Sequence, residues 1–177
     1  MSNPIIKIIL EDEREIKAEL YPNIAPISVQ NFLKLIDEKF YDGVIFHRVI
    51  DRFMIQTGGY YIDGNVLMDK EKAETIKGEF TSNGFENNLK HKLGVLSMAR
   101  SQDKNSAGSQ FFIVTKDSPH LDGQYASFGK VIKGMDVVHK IENVQTDAND
   151  KPIKNVVIES IKVDTKGVDY KAPDKVK

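Results

Sequence analysis

Three short segments of the chain combine apolar side chains with one cation or one amide, and chemistry is most readily placed there. Phe46-His47-Arg48-Val49 carries an arginine, Phe53-Met54-Ile55-Gln56-Thr57-Gly58-Gly59 a glutamine, and Gly108-Ser109-Gln110-Phe111-Phe112-Ile113 a second glutamine. Side chains alternate along a strand, so Met54 and Gln56 share a face, as do Gln110 and Phe112. Taken singly, Phe53, Met54 and Phe112 read as ordinary core and Arg48 as a surface arginine. As a set in this order, the ordinary reading is the weaker one. Other chemistries find less support. The four histidines, at 47, 91, 120 and 139, have no metal-ligand spacing, so no metal site is expected. Ser109, His120 and Asp122 are close in sequence, but Gly108-Ser109-Gln110 lacks the G-x-S-x-G elbow, and they read as turn and strand residues. Neither nucleotide-binding glycine motif is present, and no cofactor is expected. The absence of cysteine excludes disulfides, zinc–thiolate sites and a cysteine nucleophile.

The elements that must position these segments are mostly short strands. Residues 4–10 and 14–20 read as a hairpin, with Ile16, Ala18 and Leu20 alternating against Glu15, Lys17 and Glu19 around the turn Glu11-Asp12-Glu13. Pro26 suits the first position of a helix whose stripe is Val29, Phe32, Leu33, Ile36 and Phe40, ended by Asp42-Gly43. Runs at 44–49, 53–57, 93–98, 110–115, 126–131 and 156–163 are rich in Val, Ile and Phe and bounded by Gly, Asn and Asp, which favours strands. A second helix is expected over 134–142, on the stripe Met135, Val138 and Ile141. This pattern suggests a barrel or a sandwich with helical caps. The polar stretch 62–92 is too long for a bare loop, and a short strand is expected at 75–80. The Lys- and Asp-rich tail from 165 to 177 is expected to fray.

Length and charge narrow the class. A chain of 177 residues is one ordinary domain, large enough to bury a core without staples. A net charge of −1 gives no pull towards nucleic acid or an anionic membrane, so neither is expected as a partner. The stretch Ile5-Ile6-Lys7-Ile8-Ile9-Leu10 is interrupted by Lys7 and lacks a small-residue cleavage site, so it does not read as a signal peptide. No apolar run is long enough to span a bilayer, and the expected location is cytoplasmic.

In these segments the chain resembles the cyclophilin family of peptidyl-prolyl cis/trans isomerases. The likeness runs over residues 5 to 163. It is carried by the three segments above, by Leu96-Ser97-Met98-Ala99, and by Leu121-Asp122-Gly123 followed by Phe128-Gly129. The resemblance implies a mainly β fold, an eight-stranded antiparallel β-barrel capped by two α-helices, within a domain 1–164 followed by a polar tail 165–177. It implies a groove on the outer face of the barrel with Arg48, Phe53 and Gln56 as catalytic residues, and with Met54, Ala99, Arg100, Gln110, Phe112, His120, Leu121 and Tyr125 binding substrate. Several positions depart from the commonest pattern. Arg100 stands where asparagine is usual, and suggests a preference for acidic neighbours. The stretch 101–107 is one residue longer than in the shortest members. His120 stands where a tryptophan is frequent and Tyr125 where a histidine is. The change at His120 implies that cyclosporin binds weakly if at all.

The implied reaction suits these residues. Rotation about a peptide bond costs about 18–20 kcal/mol, and only X–Pro bonds populate cis appreciably. No bond breaks, so neither nucleophile nor metal is needed. A fixed guanidinium at Arg48 can donate to the prolyl nitrogen, which gains a lone pair in the twisted state, while Phe53, Met54, Phe112 and Leu121 hold the ring. The expected partners are X–Pro peptides and folding proteins, and the expected state is a monomer. The rival readings are a cyclophilin-fold module that binds proline peptides with little turnover and a barrel holding a small apolar ligand, although barrels of this size are filled by their own side chains.

Overall fold

The computed structural model describes residues 2–70, 73–173 and 175. The opening hairpin forms as its alternation dictates. Strands β1 (Ile5–Leu10) and β2 (Glu15–Leu20) bury Ile6, Ile8 and Leu10 on one side of the pair and Ile16, Ala18 and Leu20 with them. The other strands are β3 (Val44–Ile50), β4 (Met54–Asp63), β5 (Val66–Asp69), β6 (Val95–Met98), β7 (Phe111–Val114), β8 (Ser127–Lys133) and β9 (Ile158–Asp164). Eight of them form one antiparallel path, β3-β4-β7-β6-β8-β2-β1-β9, and β5 pairs β4 off that path. The path curls on itself. Its two edges meet at a bridge between Ile45 and Val157, flanked by Phe46 N–H donating to Val156 O (3.0 Å) and Gly43 N–H to Ile158 O (2.8 Å).

Curling gives the sheet an inner and an outer face, and apolar side chains sort between them. The inner cluster includes Ile8, Phe46, Ile55, Leu96, Phe111, Ile113 and Phe128. The first helix, α1 (Pro26–Asp37), feeds Phe32 into it, 5.0 Å from the Phe111 ring and 5.3 Å from Phe128. The second, α2 (Met135–Glu142), adds Val138 and Ile141. It follows Gly134, whose φ of 98° and approach to Glu15 O, 2.6 Å from where a Cβ would sit, leave no room for a side chain. A second, smaller cluster lies on the outer face: Met54, Val95, Phe112, Val114 and Leu121.

Three expectations change. The strand expected at 75–80 is reduced to one bridge, Ile76 to Ala107, and the strand of that region is β5 instead. Positions 71 and 72 of the stretch lie outside the described residues. Helix α1 stops at Asp37, because Lys39 takes a left-handed φ of 59°, yet Phe40 still packs on the core beyond its end. The tail does not simply fray: Tyr170 packs against the inner cluster, Pro173 is buried, and Lys175 Nζ donates to Asn31 Oδ1 of α1. Tail positions 174, 176 and 177 lie outside the described residues.

The start of α1 is held from a distance. Its N-cap, Ala25, has no side-chain acceptor. Glu79, fully buried, supplies one: its carboxylate accepts from Ile27 N–H (3.1 Å), Ser28 N–H (2.6 Å) and Ser28 Oγ (2.8 Å). Burial raises the Glu79 pKa, and these three bonds oppose that rise. The bonds tie the polar stretch 62–92 to the helix that packs on Phe111. Charge-assisted bonds contribute about 1.5–3 kcal/mol each and strand their donors when lost. Glu79→Ala is therefore expected to lower unfolding stability by about 3 kcal/mol, read from urea denaturation. A loss below about 0.5 kcal/mol would mean that the cap is not a structural tie.

Candidate active site on the outer face

Register places the arginine. Phe46 pairs with Thr57 and Arg48 with Gln56, so β3 advances two residues while β4 advances one, and His47 is the extra residue of a bulge. Phe46 is fully buried in the inner cluster. Strict alternation from Phe46 would point Arg48 into the barrel as well. The bulge restores Arg48 to the outer face and Val49 to the inner one, where Val49 is 2% exposed.

From Arg48 the ladder continues across neighbouring strands: Arg48 opposite Gln56, Gln56 opposite Phe112, Phe112 opposite Ser97. These four outward side chains form one row across β3, β4, β7 and β6. Gln56 Oε1 accepts from Arg48 Nη1 at 3.5 Å, a long bond, and Gln56 Nε2 donates to Gln110 Oε1 at 2.8 Å. Gln110 is fixed in turn. Its carbonyl accepts from Ala99 N–H (3.0 Å), and its side chain lies over Gly59, where a Cβ would fall 2.4 Å from Nε2. The loop before it is pinned by Asn31 Nδ2 to Gly108 O (2.7 Å), Tyr41 OH to Ser109 O (2.8 Å) and Ser109 Oγ to Gly58 O (2.7 Å).

Beside this polar row lies the outer apolar cluster. Met54, Phe112 and Leu121 are buried in it, with Phe53, Ala99 and Tyr125 packed at its margin. His120 sits on the turn Pro119–Leu121 with its ring 5.7 Å from Phe53, and Tyr125 meets Phe112 edge-on at 5.9 Å. On the far side of Gln56 and Gln110 a cleft of about 470 Å3 opens between Ala99-Arg100 and the residues Tyr60, Asp69 and Lys70. All eleven residues singled out in the sequence thus lie on one face.

Arg100 is held by groups of the protein itself. Its guanidinium donates to Gln124 O through Nη2 (2.7 Å) and to Ser101 O through Nη1 (2.9 Å). It also lies against the rings of Phe80 (4.9 Å) and Tyr125 (4.6 Å). These contacts fix where the guanidinium sits but leave its positive charge unpaired, since none of the groups is a carboxylate.

Beneath Phe112 is a buried polar group that sequence reasoning missed. His91, 1% exposed, stacks on Phe112 with centroids 6.2 Å apart. Its Nδ1 meets Asp122 Oδ1 at 3.0 Å and its Nε2 meets Ser97 Oγ at 2.8 Å. Burial lowers the His91 pKa, and Asp122 opposes the fall. Ser97 is fully buried, so the trio supports the apolar floor rather than presenting a nucleophile. The Leu121-Asp122-Gly123 segment was the one sequence signal for it. Ser109 and His120 do not join Asp122, and no group of three or more potential metal ligands occurs among the described residues.

Comparison with known proteins identifies the family. The family model described as "Cyclophilin type peptidyl-prolyl cis-trans isomerase/CLD" matches residues 5–163. The chain belongs to the cyclophilin family. A peptidyl-prolyl cis-trans isomerase of Acinetobacter baylyi is 50% identical over 136 residues, 74% of this chain and 68% of that one. Peptidyl-prolyl cis-trans isomerase A of Dickeya dadantii is 44% identical over 148 residues, covering 78% of this chain and 74% of the relative. The crystal structure of a Cryptosporidium parvum cyclophilin type isomerase superposes with a TM-score of 0.76 at 31% identity, over 92% of this chain and 98% of its own. A second crystal structure of that protein, in the presence of the dipeptide Ala-Pro, gives 0.73 at 33% identity, over 89% and 96%. The curled eight-strand sheet with two helices is the cyclophilin fold.

In this cyclophilin the bulge residue His47 has its own electrostatic consequence. Burial, then the neighbouring Arg48 charge, pushes its pKa down from 6.5 to about 4, against a smaller opposing effect of Gln110. A group whose folded pKa is depressed in this way binds its proton in the unfolded chain first. Between about pH 6.5 and 4 the unfolded state therefore gains protons, and stability falls as pH falls. His91 acts with the same sign. His47→Gln is expected to flatten part of that slope in urea midpoints taken from pH 7 to 4. An unchanged slope would show that His47 titrates alike in both states.

Proposed function

We propose that this chain accelerates cis/trans rotation about X–Pro bonds in proteins and so assists their folding, with Arg48 stabilising the twisted amide. The single observation that carries the reading is the placement of the Arg48 guanidinium. It stands on the outer face at the edge of an apolar cluster, steadied by Gln56, which Gln110 steadies in turn. The barrier to rotation is about 18–20 kcal/mol, and a catalyst lowers it only by holding the twisted amide better than either planar form. As the amide twists, its nitrogen loses resonance and becomes an acceptor. A guanidinium aimed there strengthens its bond only in that state. Met54, Phe112 and Leu121 would hold the proline ring while Phe53 closes one side and excludes water. Ala99, Arg100 and Gln110 would bind the substrate backbone at the cleft. Ala99 N–H already donates to Gln110 O, so the backbone of Arg100 and the side-chain amide of Gln110 are the groups that would pair with it. His120 and Tyr125 would shape the far rim.

The relatives named peptidyl-prolyl cis-trans isomerase support the activity, and the structural neighbour studied with Ala-Pro supports the proline-peptide partner. The reading takes the isomerase unit as residues 1–164 with 165–177 as an appendage, acting as a cytoplasmic monomer. No described helix is long and apolar enough to cross a membrane. With His120 in place of an indole donor, cyclosporin binding is taken to be weak. No cofactor or nucleic acid has a part in it.

The test is the cis/trans exchange of an Ala-Pro peptide followed by NMR. Fast exchange is expected with the folded protein. Its rate should be flat between about pH 6 and 8, since no proton is transferred. No acceleration would leave a proline-binding module with little turnover as the better account, and a bell-shaped profile would implicate acid–base catalysis.

A further inference from the structure

Strand β4 leaves the site and carries a second feature with it. It begins with Met54 and Gln56 at the site, passes Tyr60 in the wall of the 470 Å3 cleft, and runs on to Asp63. There a two-residue turn, Gly64-Asn65, reverses the chain into β5, with Gly64 at φ 62°, as the first position of a hairpin turn of type II′ requires. β5 returns along β4 to Asp69 and Lys70, which line the same cleft.

Among the described residues the outer edge of β5 is open. Lys70 N–H donates to Gly59 O (2.9 Å), and bonding alternates along an antiparallel pair, so Val66, Met68 and Lys70 exchange bonds with β4. The amides and carbonyls of Leu67 and Asp69 therefore point the other way. Among the described residues β5 pairs with β4 alone, and no turn or loop bonds to Leu67 or Asp69. The strand is also apolar where it is exposed: Val66 is 59% exposed, Leu67 44% and Met68 37%. Natural edges are commonly blunted by shortness, charge, proline or a bulge; β5 is four residues long and ends in Asp69, but Val66-Leu67-Met68 carries no charge, proline or bulge. On the hairpin face shared with Tyr60 and Asp69, Ile62 and Leu67 stand opposite each other, so the apolar strip continues directly from the cleft wall.

We propose that the open edge of β5 is an exosite that adds an extended, apolar segment of a protein substrate as one further strand. The proposal rests on the isomerase reading above and deepens it. Continuity identifies the occupant: a polypeptide with its X–Pro bond at Arg48 and its neighbouring residues in the cleft emerges beside Asp69 and Lys70, at one end of the free edge. Main-chain bonds to Leu67 and Asp69 would then hold it regardless of sequence, while alternate apolar side chains would meet Leu67 and Ile62. Strand rise sets the reach. From Gln56 to Ile62, the partner of Leu67, is six residues of β4, at most about 20 Å given the irregular register between Thr57 and Tyr61. A tetrapeptide cannot span that distance, whereas a peptide with about six residues on the cleft side of the proline can.

The test compares an Ala-Pro tetrapeptide with two peptides of about twelve residues, one extended before the proline and one after it by alternating Val and Thr. KM and kcat are read by NMR exchange, and affinity by fluorescence anisotropy. Wild type should bind one long peptide more tightly than the tetrapeptide. Leu67→Pro removes the outward amide without touching a bond to β4, and should raise KM for that peptide about fivefold, the worth of one hydrogen bond, leaving its kcat and the tetrapeptide unchanged. Leu67→Ser keeps the amide, guards against a folding defect in the proline variant, and should give a smaller rise. Equal KM for long and short peptides, or a rise shared by the tetrapeptide, overturns the proposal. So does a wild-type dimer in sedimentation that Leu67→Pro dissolves, because the edge would then belong to a second copy. If no peptide is turned over, the isomerase reading fails, and the anisotropy comparison still decides the exosite.

Discussion

The placement of the site depends on one irregularity in a ladder of hydrogen bonds. Period-two alternation assigns every strand residue to one side of the sheet, and a single inserted residue reverses the assignment for all that follow. Phe46 must point inward to meet the core, and Arg48, two residues on, must point outward to meet a substrate. Both hold only because His47 is inserted between them, opposite the single Thr57–Gln56 step of β4. The cost is carried by His47 itself: its Nδ1 is buried without a hydrogen-bond partner, and its ring is held in a place that disfavours protonation.

Around that bulge, the two faces of one sheet divide the work. The inner face packs Phe32, Phe46, Phe111 and Phe128 and supplies stability. The outer face uses the same strands as a rigid bed for Arg48, Gln56 and Phe112. A donor can favour a twisted amide only if it is already in position, because reorganising it during the reaction would consume the gain. Here the chain of restraint is long. Gln56 steadies Arg48, Gln110 steadies Gln56, and the loop carrying Gln110 is bonded to Asn31, Tyr41 and Gly58. Under Phe112, His91 uses both ring nitrogens on Asp122 and Ser97, so a polar group supports an apolar floor without an unpaired atom.

Much of this was legible in the sequence, and what was not has a physical reason. Strands with a sorted apolar face, such as Ile16-Lys17-Ala18-Glu19-Leu20, show themselves through period two, and α1 through its stripe. The segments around Arg48, Gln56 and Phe112 carried the family resemblance and with it the site. The bulge left no such mark, since Phe46-His47-Arg48-Val49 reads equally well as regular strand. Glu79 as the cap of α1, and His91 with Asp122, are contacts across 51 and 31 residues that no local pattern announces. β5 was missed because Val66-Leu67-Met68 is exposed on both faces, so neither burial nor alternation marks it. The seat of the Arg100 guanidinium was not legible either, because Gln124 O and the rings of Phe80 and Tyr125 are brought to it from elsewhere in the chain.

The most direct measurement of the central claim is kcat for an Ala-Pro peptide, by NMR exchange at saturating peptide, for wild type and Arg48→Ala together. The exposed guanidinium is expected to contribute little to folding, so both proteins should unfold at the same urea concentration. The account predicts that kcat falls by about 10²–10³, the usual effect of removing one preorganised donor. A folded Arg48→Ala protein that keeps kcat within about threefold, a barrier change of under 1 kcal/mol, would contradict it. Catalysis would then have to come from the apolar pocket alone.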